Sequence, residues 1–193
     1  MTVNTLNFCA FTWTKYTISG VGNLSYLLAL PHTLSSEAID IFHLQISLED
    51  SDEPTLSSMR KTTIPVPDLD NPKTGLTMCL AFQKGSDLIA GYESGHTITY
   101  ARDLTIDKTN RWTTEQIKAD LETTPWEYKP CYISRPHSQP ILSIQGAPFN
   151  GYFVTTAADA KIVTHKLRNI DADFDFTAVS LSLIHISEPT RPY

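Results

Sequence analysis

Apolar and polar residues alternate along this chain in short runs, and clusters of Gly, Pro, Asn, Asp and Ser separate them. Long stretches of helical period are nearly absent, so the pattern predicts an all-β protein. The clearest run is Gly75-Leu76-Thr77-Met78-Cys79-Leu80-Ala81-Phe82, whose large apolar residues Leu76, Met78, Leu80 and Phe82 would form one row on one sheet face. A turn at Lys84-Gly85-Ser86 leads to Asp87–Tyr92, and Glu93-Ser94-Gly95 leads on to His96–Tyr100. Three short strands joined by tight turns predict an antiparallel meander.

The same order occurs twice more. Pro140–Ile144, Gly151–Thr156 and Lys161–Leu167 form the last unit; Thr5–Phe11, Leu24–Leu30 and Glu37–Leu44 form the first. Ile41, Ile98 and Ile162 hold equivalent places at spacings of 57 and 64 residues, so each interval carries an insertion relative to repeats of about 40 to 45 residues. Thr62–Val66 and Trp126–Ile133 are the candidate fourth strands. Pro65 and Pro130 cannot donate to a ladder, which suits an outer edge. The acidic stretch Glu49–Glu53 reads as a solvated loop, and Thr113 with Gln116 has the form of a capping box opening a short surface helix over 113–121.

Composition narrows the class. The chain has 193 residues, 41% apolar and 19% charged, which fits globular structure and excludes a disordered tail. No apolar stretch is long enough for a membrane-spanning helix. A net charge of −6 argues against nonspecific nucleic-acid binding, which needs a cationic surface. Cys9, Cys79 and Cys131 lie far apart and form no C-x-x-C pair, so no disulfide framework or zinc knuckle is expected. The N-terminus lacks a signal-peptide pattern, Asn23-Leu24-Ser25 is treated as a chance glycosylation match, and a reducing cytosolic or nuclear compartment is the expectation.

Candidate chemistry is sparse. Ser138 beside His137 suggests acyl transfer only by adjacency, and triads are defined by geometry. Asp171-Ala172-Asp173-Phe174-Asp175 lacks the Gly and terminal Glu of a calcium loop. Gly20-Val21-Gly22 lacks the rest of a dinucleotide fingerprint. His32, His43 and His96 are scattered and read as strand-end residues. The expectation is a non-enzyme with no catalytic residue, cofactor, metal or small-molecule substrate.

His137 before a first strand, Thr155 or Thr156 on a second and Asp159 in the following turn match the hydrogen-bonded set of a WD40 blade, and Thr155 is taken for the set. His165 stands at the set's Trp position, six residues after Asp159. In the middle unit Tyr100 holds that place and Glu93 or Ser94 replaces the Asp; the first unit shows no such set. The fold expected is therefore all-β, an incomplete WD40-type β-propeller of about three blades; likeness to WD40 propellers implies a ring of seven. Units span about 3–66, 74–133 and 137–180 within a domain at 3–180.

Val3–Cys9, Leu28–Pro31, Ile39–Leu44, Leu88–Thr97 and His137–Ser143 resemble the fungal ASTRA-associated WD-repeat family, which has G-protein β-like relatives in animals. The likeness covers about residues 3 to 168. It implies a nuclear, non-enzymatic scaffold, with the cytoplasm as a second location. The implied assembly is linked to chromatin remodelling and to the chaperoning of phosphatidylinositol-3-kinase-like kinases. Its partners would be protein subunits, with no direct nucleic acid and no membrane. The family is longer at both ends, so the resemblance implies a central fragment. A ubiquitin-ligase substrate receptor or a G-protein β-like signalling scaffold is the alternative, although the Trp-Asp-x-Arg signature of many such receptors is missing.

Trp13, Trp112 and Trp126 lie in or beside insertions, outside the places where blade packing demands Trp, and are candidate partner anchors. Residues 181–193 have another origin in this reading. Leu181–Arg191 looks like the translation of a common transposase-based sequencing adapter, so the segment is expected to be translated adapter. Three blades cannot close a ring, and the end sheets are expected to expose faces meant for neighbours.

Overall fold

The computed structural model describes residues 9–16, 24–47, 55–66, 68–69, 73–83, 86–102, 125–146, 151–167 and 182–185. They form three four-stranded antiparallel sheets, each in simple sequential order. The first holds β1 (Thr12–Lys15), β2 (Leu24–Pro31), β3 (Ile39–Ser47) and β4 (Thr55–Ile64). The second holds β5 (Thr77–Phe82), β6 (Leu88–Tyr92), β7 (Thr97–Arg102) and β8 (Tyr128–Ser134). The third holds β9 (Ile141–Gly146), β10 (Tyr152–Ala157), β11 (Lys161–Lys166) and β12 (Ser182–His185).

The sheets stack face to face, and β6 shows why. All five of its residues are buried, because alternate side chains enter different cores. Leu88, Ala90 and Tyr92 join Leu27, Ala29, Ile39, Ile41 and Ile64 of the first sheet, together with Ile98 and Tyr100 of β7. Ile89, between them in sequence, packs with Ile141, Ile144, Phe153 and Ala157 of the third sheet. The middle sheet is therefore covered on both sides at its centre, its exposed residues lie on the outer strand β8, and apolar burial on both faces holds the stack together.

Tight turns add a second tie. Thr77 N–H donates to Ser36 O (2.9 Å), joining the β2–β3 turn to the start of β5. One sheet further on, the β6–β7 turn meets the segment leading into β9: Arg135 Nε donates to Ser94 O (3.1 Å). Gly95 there has φ +84°, and a Cβ on it would sit 2.2 Å from His137 O, so only glycine permits this approach.

Several sequence expectations shift. Thr5–Phe11 was the expected first strand, but β1 begins at Thr12; Cys9–Phe11 are not strand, and residues 5–8 lie outside the described residues. The reason is pairing: Thr12 and Thr14 face inward opposite Ala29 and Leu27, while Trp13 and Lys15 point outward. The fourth strand expected at Thr62–Val66 is the longer β4, which ends before Pro65. Much of the insertion between these strands is thus a hairpin extension, with Leu44–Ser47 opposite Ser58–Thr55. The single row expected for Leu76, Met78, Leu80 and Phe82 is broken by a register shift between Thr77 and Cys79, and both faces of β5 are packed. Pro130 does lie on an edge strand, β8. The helix expected at 113–121 and Trp112 lie outside the described residues.

Ser182–His185 pairs with β11 from Thr164 to Lys161, filling the outer position of the third sheet. An unpaired strand edge offers backbone donors and acceptors to any β-permissive segment, so this pairing is independent of the segment's origin.

Candidate functional site

The polar centre of the molecule lies in the third sheet and its contact with the second. The turn before β9 carries His137, β10 carries Thr155, and the β10–β11 turn carries Asp159. The structure brings all three together. His137 Nδ1 donates to Asp159 Oδ1 (3.0 Å), and Thr155 Oγ1 lies 2.8 Å from His137 Nε2. Asp159 also accepts from the backbone N–H groups of Ser138 (3.1 Å) and Lys161 (3.2 Å). Burial alone would raise the Asp159 carboxyl, but these donors and the His137 ring together hold it below its ordinary value. Lys161 follows Ala160, whose φ of 59° closes the turn.

His165 is a member of the set. Its side chain is fully buried, and its Nε2 lies 2.9 Å from Thr155 Oγ1. Burial, reinforced by the neighbouring His137, pushes its pKa down to about 4, so the ring is neutral in the fold at pH 7. Ser138 points its backbone toward Asp159, and His137 is fully engaged with Thr155 and Asp159; the pair forms no nucleophile and base.

The second sheet lacks the corresponding set. Its Trp-equivalent Tyr100 bonds to Tyr92 through their hydroxyls (2.8 Å), and Ser94 at the Asp position bonds to His96 Nδ1 (2.7 Å). Glu93 instead accepts from Leu76 N–H (3.2 Å). Burial, reinforced by Arg135, lowers the His96 pKa. His32 is a turn residue whose Nδ1 accepts from Leu34 N–H (3.1 Å).

Of the tryptophans expected as anchors, Trp126 and Trp13 lie among the described residues, and they differ. Trp126 is 4% exposed and packs in the first interface, with the Arg102 guanidinium 3.5 Å from its ring centre and Lys61 Nζ 5.4 Å away. Arg102 also donates to Tyr16 OH (2.8 Å). A stack inside the chain cannot anchor a partner, which corrects that expectation. Sequence pattern gave no sign of it, because its members come from four separated segments. His43, expected at a strand end, lies within β3 beside this stack; burial, with Lys61 and Arg102, lowers its pKa to about 4. Trp13 is 59% exposed, edge-on to Tyr26 at 5.6 Å. It heads the outer face of the first sheet, where Leu24, Leu28, Phe42, Leu44, Ile46 and Leu56 are half-buried or exposed. Among the described residues no group of His, Cys, Asp and Glu is placed to hold a metal ion. No helix among them is long and apolar enough to cross a membrane.

Four-stranded antiparallel sheets stacked face to face, one locked by a His–Thr–Asp set, define a partial WD40-type β-propeller. A crystal structure of the Myceliophteria thermophila Cps50 (Swd1) β-propeller domain is similar at 13% identity and TM-score 0.39, covering 83% of this chain and 52% of that one. No family model matches the chain. Curated relatives do. ASTRA-associated protein 1 of Penicillium rubens is 34% identical over 179 residues, covering 86% of this chain and 37% of that protein. Its namesake in Verticillium alfalfae is 35% identical over 168 residues, covering 84% of this chain and 33% of that protein. The Schizosaccharomyces pombe protein of that name is 30% identical over 181 residues, covering 89% and 42%. Over these residues the chain is similar to the ASTRA-associated protein 1 of several fungi, and it spans little more than a third of the length of the Penicillium relative.

Proposed function

We propose that this chain supplies consecutive blades to a non-enzymatic scaffold subunit of a nuclear multiprotein assembly. The observation that carries this reading is the 34% identity to ASTRA-associated protein 1 across 86% of the chain. The physical arrangement agrees with it. The described polar cluster is saturated by its own hydrogen bonds, and the stacked sheets leave loops on two faces for docking. The assembly proposed is one linked to chromatin remodelling and to the chaperoning of phosphatidylinositol-3-kinase-like kinases, with protein subunits as the partners. Residues 181–193 are excluded from this role as adapter-derived.

The test is an epitope tag on the full-length protein at its own locus, followed by localisation and affinity purification. Nuclear signal with co-purification of an assembly containing a large kinase of that class is the expected result. Recovery of a cullin-type ubiquitin ligase, or of the protein alone, overturns the reading.

A further inference from the structure

Pro130 has no N–H to give to the β7–β8 ladder, and the strand carries a bulge beside it. Tyr100 pairs with Pro130 and Thr99 with Tyr132, leaving Cys131 unopposed. The extra residue reverses strand parity. Tyr128 packs into the interface with the first sheet, whereas Tyr132, four residues later, packs against the third. Its ring meets Phe153 and His165 edge-on at 6.0 and 5.9 Å, and its hydroxyl lies 2.9 Å from His165 Nδ1. His165 in turn lies parallel on Phe153 at 4.2 Å.

The direction of every bond then follows from one end. An ionised Asp159 can only accept, so His137 Nδ1 carries the proton. With that as its single ring proton, His137 leaves Nε2 as an acceptor, and Thr155 O–H donates to it. The Thr155 oxygen accepts from His165 Nε2–H, which leaves His165 Nδ1 to accept from Tyr132 O–H. His165, Thr155 and His137 each give one proton and take one, between the donor Tyr132 at one end and the acceptor Asp159 at the other.

We propose that Tyr132, His165, Thr155, His137 and Asp159 form a one-directional hydrogen-bond chain that latches the third sheet to the second and is intact only while the His165 imidazole is neutral, making this contact acid-labile. A proton on His165 Nδ1 sets two donors facing each other until the Tyr132 hydroxyl turns away, and it places a charge where no described carboxylate touches the ring. The titratable groups facing this cluster are Tyr132 from β8, His137 ahead of β9, Asp159 from the β10–β11 turn and the Cys79 thiol from β5; Phe153 and Thr155 from β10 are uncharged. Asp159 reaches His165 only through His137 and Thr155. The depressed His165 pKa agrees with this geometry.

The test is hydrogen exchange with mass-spectrometric readout on the 193-residue chain, corrected for intrinsic pH dependence. The opening constant of β9–β11 is expected to rise up to tenfold per pH unit as pH falls from about 6.5 toward about 4. Tyr132→Phe keeps the ring and removes the O–H; it is expected to raise that constant about two- to tenfold at pH 7 and leave β2–β3 unchanged. Nitrogen-15 spectra of labelled histidine should show the Nε2–H form of His165 and the Nδ1–H form of His137, whichever variants fold. A flat pH dependence of β9–β11, an Nδ1–H form at His165, or a Tyr132→Phe chain indistinguishable from the parent each overturns the latch.

Discussion

Gly95→Ala measures how closely the second and third sheets are held. Gly95 has φ +84°, a region that costs an L-residue about 1–2 kcal/mol. Its added methyl would also lie 2.2 Å from the backbone oxygen of His137 and 3.2 Å from that of Gln139. Those are backbone atoms at the head of the third sheet, so relief requires the turn and the sheet to part, at a further cost of about 1–3 kcal/mol. The sum is about 2–5 kcal/mol. Gly75→Ala is the matched control. Its φ is +67°, and both close neighbours belong to the Glu93 side chain: the carboxyl end at 2.8 Å, which can swing aside, and Cβ at 3.1 Å, which needs a shift of only a few tenths of an ångström. That variant should lose the backbone term of about 1–2 kcal/mol, and about 1 kcal/mol more at most for the exposed bond from Leu76 N–H that the displaced carboxyl gives up. Urea denaturation of parent and variants at one dilute protein concentration gives the comparison from the midpoints. Equal losses for the two substitutions would refute the claim that backbone approach between sheets, rather than turn geometry, sets the demand for glycine at position 95.

Other outcomes follow from the same contacts. Trp126→Ala should cost about 3–5 kcal/mol, since it empties the centre of the Arg102–Lys61 stack, whereas Trp13→Ala should cost less than about 1 kcal/mol; equal effects in denaturation would contradict the burial described. His165 binds its proton near pH 6.5 when unfolded but only near 4 when folded, so its contribution is complete above about 6.5 and is lost as pH falls toward about 4, by up to about 3 kcal/mol. His43 acts in the same direction, and stability measured from pH 7.5 to 4.5 should fall accordingly; a rise on acidification would contradict both. The chain expressed alone should self-associate through the outer face of the first sheet, and Leu44→Lys should raise the monomer fraction in sedimentation; a monomeric parent with a sharp cooperative transition counts against this. Resequencing through the coding region should continue past Ser180 into further blade-like repeats, and an in-frame stop directly after Tyr193 would sink the adapter reading.

Much of the site was legible before folding. Asp159 in a turn, His137 ahead of a strand and Thr155 on the next strand are ordered by local spacing, and local spacing survives into three dimensions. His165 looked like a departure because a side-chain type was expected there; the hydrogen-bonding capacity that the position needs is an N–H donor, which imidazole supplies as well as indole. Tyr132 was unreadable for a different reason. Counting by twos from Tyr128 puts it on the wrong face, and only the bulge beside Pro130 turns it toward His165.

By itself, the alternation of apolar and polar residues between turns determined the three-stranded meanders at the centre of each unit and their antiparallel order, though not where β1 begins or how far β4 extends, because hairpin pairing depends on neighbours in the chain. The tertiary structure alone decided what lies between the sheets. Arg102 over Trp126, Lys61 sealed into the first interface, and Tyr132 reaching His165 all join segments distant in sequence. Such contacts are chosen by which faces meet and by how bulges shift parity along each strand. Neither quantity is carried by residue spacing, which explains why the blades could be read from the chain and the ties between them could not.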